Sequence, residues 1–266
     1  MEQQQTAFDE MLHPEHGARP AYSDYAAWFD GQQLAGLRRK AEEADAVFRR
    51  TGITFNVYGA NEAEERLIPF DIVPRIINAK EWSRLSRGIE QRVKAINAFL
   101  HDIYHRQEIV RAGRIPEALI DQNEAYEKAV VGVVPPRGVY SHIIGIDLVR
   151  TGPDEFYVLE DNARTPSGVS YMLENRETMM NMFPELFSAI RVREVSSYPK
   201  NLRRSLEACA PAGCDGKPVL GVLTPGIFNS AYFEHAFLAD QMGAELVEGH
   251  DLRIIDGRVA MRTTQG

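Results

Sequence analysis

Basic charge, cysteine and long apolar runs are all scarce in this chain, and each shortage removes a class of function. Thirty Lys and Arg face 38 Asp and Glu, for a net charge of −8. A nucleic-acid binder needs a basic face, so that class is set aside. An anionic ligand would need a local basic pocket within an acidic molecule. No apolar stretch approaches the roughly 20 residues of a membrane span. The opening MEQQQTAFDEM is polar and acidic, unlike a secretory signal. The cytoplasm is the expected location. The only cysteines, Cys209 and Cys214, share one loop. With no matching Cys or His pair they make no zinc site, and free thiols in a reducing compartment are expected. A GxxxxGK[ST] phosphate loop, a Ser/His/Asp or Cys/His arrangement and internal repeats are missing as well.

What is present concentrates between Tyr140 and Arg176, YSHIIGIDLVRTGPDEFYVLEDNARTPSGVSYMLENR. Val139 to Thr151 reads as one strand and Phe156 to Asn162 as a second. Gly152-Pro153-Asp154-Glu155 joins them as a four-residue loop. If Thr151 faces Phe156, then Val149 faces Val158 and Asp147 faces Glu160. Opposed residues share a face, and Asn162, two residues after Glu160, shares it too. A slip of one residue would send Asp147 to the other side. Asp147 stands in an apolar run, IIGIDLV, where a buried carboxylate needs a partner or a metal. Two carboxylates and a carboxamide are hard oxygen donors, suited to a magnesium ion that also holds substrate phosphates. The bland reading of the same residues is an exposed hairpin with an acidic, solvated face. Thr165-Pro166-Ser167-Gly168-Val169-Ser170 then supplies hydroxyls and a flexible backbone.

An Asp on one strand, then Glu160-Asp161-Asn162, then Pro166, Gly168 and Ser170, resembles the metal-binding half of ATP-grasp ligases. The wider text, GIDLVR through NARTPSGVSYMLENR, looks like the circularly permuted ATP-grasp group, which is similar to glutathionylspermidine synthase. The resemblance implies ATP-dependent carboxylate–amine ligation through an acyl phosphate, with Mg2+ and ATP as cofactors. It implies Asp147, Glu160 and Asn162 as metal ligands. It implies the loop Arg164 to Ser170, with Ser167, Gly168 and Ser170, as a phosphate or acyl-substrate contact. Related ligases often place an Arg two residues before the metal Asp, where it stabilises an oxyanion, but Gly145 stands there. Arg164 or Arg150 could substitute. The register points Arg150 at the opposite face, which favours Arg164 as the catalytic group. For either, a surface arginine beside a carboxylate is an equal reading.

The expected fold class is α/β in an α+β mix. A helical N-terminal part leads into an antiparallel ATP-grasp-type sheet with the metal-binding hairpin. Then comes a β-loop-α-β unit resembling a pre-ATP-grasp domain. Residues 1–20 are expected as a polar arm, 21–200 as the helical and metal-binding region, and 217–266 as the α/β region, incomplete. Tyr25 to Phe48 reads as one helix and Leu67 to Ile77, broken by Pro69 and Pro74, as irregular. Ala79 to His105 reads as the clearest helix. Asn78 is its cap and Trp82, Leu85, Ile89, Val93, Ile96, Phe99, Leu100 and Ile103 are its core stripe. Its basic face is read as solvated, with Lys80 or Arg84 reaching a triphosphate as the functional alternative. A helix follows from Ser170 to Met182. Pro218 to Thr224 and Glu245 to Glu248 read as a parallel pair around a helix at Ala231 to Met242. The loop 225–230 lies where ligands favour such units, though a purely structural turn is an equal reading. Leu252 to Arg262 reads as a hairpin around Asp256-Gly257.

The partners expected are small-molecule or peptide carboxylates and amines, with no nucleic acid and no membrane. The lysines and Gly-rich clamp of the other half of such a nucleotide site find no counterpart here. A C-terminal half or a partner chain would have to bring them. The alternative function is a non-catalytic Mg-nucleotide or peptide-binding scaffold that keeps the fold.

Overall fold

The computed structural model describes residues 7–58, 63–164 and 166–263. Residues 1–6 of the expected arm, 1–20, lie outside them. In chain order the elements are β1 (Leu12–His13), β2 (Gly17–Ala18), α1 (Ser23–Asp30), α2 (Leu34–Thr51), β3 (Thr54–Tyr58) and β4 (Ala63–Leu67). Next come α3 (Ala79–Ile103), α4 (Glu108–Arg111), α5 (Ala118–Asp121), β5 (Gly145–Gly152), β6 (Glu155–Asn162) and α6 (Val169–Met182). The last are α7 (Pro184–Ala189), α8 (Tyr198–Glu207), β7 (Gly221–Leu223), α9 (Tyr232–Met242), β8 (Glu245–Val247), β9 (Leu252–Ile255) and β10 (Arg258–Met261). The fold is α/β, with small sheets among helices, as expected. The chain divides into two compact units, and each is discontinuous in sequence.

The first unit comprises residues 1–8, 77–166 and 209–214. Its backbone is α3. Asn78 accepts from the amides of Lys80 and Glu81, and the Glu81 carboxylate accepts from the Asn78 amide, so the cap expected from sequence is a full capping box. Near the far end of α3, Asp102 accepts from the amides of Glu108 and Ile109. Those two bonds hold its carboxyl below the usual range. Ile103, Tyr104 and Ile120 form a buried cluster. Tyr104 stacks on Tyr126 and Tyr140. Trp82, expected in the core stripe, is 40% exposed.

The hairpin β5–β6 packs on α3. Arg84 bonds the carboxylate and the carbonyl of Asp154 at the turn. Arg92 makes a bidentate pair with Asp161 at 2.7 and 2.6 Å. Arg150 is buried, pairs with Glu81 at 2.6 Å, donates to the carbonyls of Gly152 and Pro153 and stacks on Phe156 and Phe8. The basic face of α3, expected to be solvated, is therefore partly spent on the hairpin. A cavity of about 670 Å³ lies between α3 and the inward face of the hairpin, lined by Leu85, Ile89, Ile146, Leu148, Phe156 and others. Cys209 and Cys214 form no disulfide.

The second unit comprises residues 9–76, 167–208 and 215–266. The single helix expected from Tyr25 to Phe48 is two. The Gly31 amide closes α1 on the carbonyl of Trp28 and the Gln32 amide on that of Phe29, and α2 restarts at Leu34. The core holds Tyr22, Tyr25, Leu37, Ala44, Met179, Met182, Phe183 and Leu186. Burial pushes the Tyr25 phenol up to about 12, with Asp71 and Tyr22 adding to it. β7 and β8 pair in parallel around α9, and β9–β10 is an antiparallel hairpin, both as expected. β7 is shorter than the strand read from Pro218 to Thr224. In the 225–230 loop Gly226 has φ +99, and a Cβ there would sit 3.2 Å from the Glu248 carboxylate. No helix among the described residues is long and apolar enough to cross a membrane.

Candidate metal centre

The hairpin brings Asp147, Glu160 and Asn162 to one face, by a route the sequence reading did not foresee. Gly145 pairs with Asn162, Ile146 with Asp161 and Asp147 with Glu160, as the simple register predicts. Nearer the turn the register differs by one: Leu148 pairs with Val158, Val149 with Tyr157 and Arg150 with Phe156. Gly152 then pairs with Glu155 across the two-residue turn Pro153-Asp154, so the expected four-residue loop is shorter. The expected pairs Thr151–Phe156 and Val149–Val158 do not form. Two irregularities produce this. Thr151 is an extra residue on β5, and Leu159 is an extra residue on β6. They cancel at Asp147.

The extra residue on β6 decides where Glu160 points. Phe156 and Val158 line the cavity against α3, while Tyr157 is 60% exposed on the other side. Strict alternation from Phe156 would turn Glu160 inward. The bulge at Leu159 resets the phase, which is a known use of bulges beside functional sites. Asp161 consequently faces inward to Arg92, and Glu160 and Asn162 face outward with Asp147. The Arg92 bond holds the Asp161 carboxyl below its usual range. That role for Asp161 was absent from the sequence reading, and a carboxylate between two outward donors was the available signal.

Asp147, Glu160 and Asn162 are all exposed. The expectation of a buried Asp147 is overturned, because the apolar residues flanking it point toward α3 while it points away. Leu159 and Tyr157 are exposed near the carboxylates. The Asn162 side-chain nitrogen donates to Glu160 Oε1 at 2.9 Å. That bond fixes the carboxamide so that its oxygen is the atom left for a cation. Opposed residues on one face have Cβ atoms about 4.5–5.5 Å apart, close enough for both carboxylates to reach one ion. The donor set is oxygen only, which fits magnesium. It falls short of three His, Cys, Asp or Glu side chains, and no group of that size occurs among the described residues. The cavity lies behind the hairpin, on the side away from these donors.

The other candidates fall in both units. Lys80 and Arg164 are exposed residues of the first unit. Arg150 is committed to Glu81 and its two carbonyls, on the inward face that the register indicated. Gly145 is constrained: a Cβ there would lie 3.0 Å from the Pro166 side chain and 3.5 Å from that of Asn162. A larger residue at 145 would disturb the turn out of the site. Ser167, Gly168 and Ser170 belong to the second unit. Ser167 is exposed and Ser170 is fully buried. Gly168 precedes α6 with φ +114, a conformation that favours glycine. The Gly168 amide, the Ser170 amide and the Ser170 hydroxyl all donate to one oxygen of Glu234, at 2.7, 3.3 and 2.6 Å. Glu234 is 4% exposed. Nothing in its surroundings in sequence, AYFEHAF, announces that contact.

Residues 74–266 match the family described as circularly permuted ATP-grasp type 2. An uncharacterised protein of Synechocystis sp. is 46% identical over 259 residues, 97% of this chain and 54% of its own length. An uncharacterised protein of Mycobacterium tuberculosis is 48% identical over 260 residues, 98% of this chain and 46% of its own length. A Frankia alni protein named "Putative glutamate--cysteine ligase 2-3" is 40% identical over 267 residues, 99% of this chain and 30% of its own length. The chain thus spans about half the length of the first two relatives. With the match over residues 74–266 and the hairpin geometry together, the chain belongs to the circularly permuted ATP-grasp family, type 2.

Proposed function

We propose that this chain carries the metal-binding part of an ATP-dependent carboxylate–amine ligase. The observation that carries the reading is the outward convergence of Asp147, Glu160 and Asn162, set by the bulge at Leu159. These three residues hold magnesium, which when bound neutralises charge on the transferring phosphoryl group. Asp147 and Glu160 supply the negative charge. Asn162 steadies the Glu160 carboxylate through its bond to Oε1. Arg164, the cation two residues after Asn162, meets the negative charge of the substrate carboxylate or of the phosphoryl group. Lys80 is a second cation for the nucleotide.

The reaction is activation of a carboxylate by the γ-phosphoryl group of ATP, giving an acyl phosphate and ADP. An amine nitrogen then attacks the acyl carbon, and phosphate leaves with the C–O bonding pair. The amine loses a proton as the amide forms. The name of the Frankia relative places glutamate and cysteine first among substrates to try. The remaining half of the longer relatives is where the rest of the nucleotide clamp belongs, in one polypeptide or as a partner chain.

The test is to incubate the chain with MgATP, glutamate and cysteine and follow ADP and amide together. Equal amounts of both, abolished by Asp147→Ala, are expected. ADP without amide would replace the ligase with a phosphotransferase. Neither product, with no nucleotide binding, would leave a scaffold that keeps the fold.

A further inference from the structure

We propose that the groove between α3 and the inward face of the β5–β6 hairpin is a docking surface for an apolar polypeptide segment, supplied by the part of the longer relatives' length that this chain does not span. The groove lies wholly within the first unit, on the side of the hairpin away from the metal donors, so the inference stands apart from the ligase reading.

Two apolar surfaces face each other here without closing. Leu85 and Ile89 come from α3, one turn apart, Ile146 and Leu148 from β5, and Phe156 and Val158 from β6. Such faces normally meet and exclude water. Of these six only Leu85 is buried, and Val158 is 37% exposed. Three ion pairs bridge the two walls through long arginine side chains: Arg150 with Glu81, Arg84 with Asp154 and Arg92 with Asp161. The space between the walls is about 670 Å³.

Gly88 gives a second, independent indication. It lines the groove from the interior of α3, where glycine weakens a helix. Its φ is not left-handed, and a Cβ added to it would meet nothing within 4 Å. Neither its backbone nor any neighbour among the described residues calls for glycine. The use that remains is close approach by another backbone. Ala95, two turns further on, lines the same groove and is also small and exposed.

The chemistry of the occupant follows from the lining. Arg84 and Arg92 already meet carboxylates, so the groove has little for an ionic ligand. The walls call for apolar side chains. From Arg84 to Ala95 the helix wall runs about 16 Å, which suits three turns of an amphipathic helix laid in a groove. A small apolar molecule is better buried in an enclosed pocket, whereas this groove is open along Gly88, Gln91 and Ala95. The matched span is 54% of the Synechocystis relative and 46% of the Mycobacterium tuberculosis one. Each therefore carries about as much chain again, and that part is the source of the segment.

The experiment is thiol labelling by N-ethylmaleimide, followed residue by residue with mass spectrometry. Gly88→Cys in this chain is compared with a cysteine at the aligned position of the full-length Synechocystis relative. The thiol is expected to react freely in this chain at every protein concentration, and at least about a hundredfold more slowly in the relative. Ala95→Cys is a second probe of the same groove and carries the test should Gly88→Cys fail to fold. Gly88→Leu, which puts a side chain into the groove, should raise the thermal midpoint of this chain by about 2–4 °C. The matching substitution should lower that of the relative.

Equally fast labelling in the relative overturns the inference, since its remaining length would leave the groove open. So does labelling of this chain that slows as its concentration rises, with a dimer in sedimentation, because a second copy would then be the occupant. Slow labelling of the dilute, monomeric chain overturns it as well, because the groove would already be closed by the chain itself or by a co-purified small molecule.

Discussion

At the scale of single residues, the chemistry rests on which way each acidic side chain of β6 points. Glu160, Asp161 and Asn162 are consecutive, and the middle one is turned to α3 by Arg92. Asp161 is ionised more easily in the folded chain than its ordinary value of 3.8. Its folded pKa is depressed, so its contribution to stability is present above the unfolded value and is lost as pH falls through the folded one. Urea unfolding of Asp161→Asn beside the parent should show a constant deficit at pH 7 and pH 5. That deficit should shrink below pH 3.8, and one that persisted undiminished at lower pH would sink this assignment. The residue types at the site were legible in the sequence because hard oxygen donors next to a Ser- and Gly-containing loop are an unusual grouping. Exposure was left open between two readings, a buried Asp147 in IIGIDLV and an acidic, solvated face, and only the pleat shows that the apolar neighbours of Asp147 point the other way. Glu234 was not legible either, since its partners are 64 and 66 positions distant.

At the scale of elements, the hairpin is a sheet of two strands whose phase is set by two compensating extra residues. The pairing of Asp147 with Glu160 was legible, because an error of one at Thr151 is undone by another at Leu159. The pairing of Val149 was not, for the same reason. Deleting Leu159 removes the extra residue, so that Glu160 follows Val158 directly and still faces outward opposite Asp147. The predicted result is a folded chain, by circular dichroism, that keeps its magnesium-dependent response to ATP. Loss of the response in a folded deletion variant would show that regular alternation from Val158 does not aim Glu160 at the site. The hairpin is held to α3 by Arg150 and Glu81, whose side chains are 5% and 12% exposed. Arg150→Ala leaves Glu81 without that partner in a largely dry place and should cost about 3–5 kcal/mol by chemical unfolding. Replacing both, as Arg150→Met with Glu81→Leu, should recover much of that loss. The helices α3, α6 and α9 were legible almost to the residue from periodicity and, for α3, its cap. The break between α1 and α2 was missed because the apolar stripe continues across Gly31 while the backbone does not.

At the scale of the whole molecule, chain order and spatial order part company. Each unit is assembled from segments far apart in sequence, so no boundary in composition marks them. The parallel β7–α9–β8 unit and the β5–β6 hairpin were legible as separate motifs, since each is local. How the longer relatives complete the fold lies in the part of their length that this chain does not span. The central claim is that Asp147, Glu160 and Asn162 form a magnesium–nucleotide site on the outward face of the hairpin. The most direct test is a thermal-unfolding titration of MgATP against this chain, with Glu160→Ala beside it. A ligand that binds only the folded state raises the midpoint with its concentration. The account predicts a rise in the parent, none without magnesium, and none in Glu160→Ala. No rise in the parent, or an equal rise in both, would contradict it.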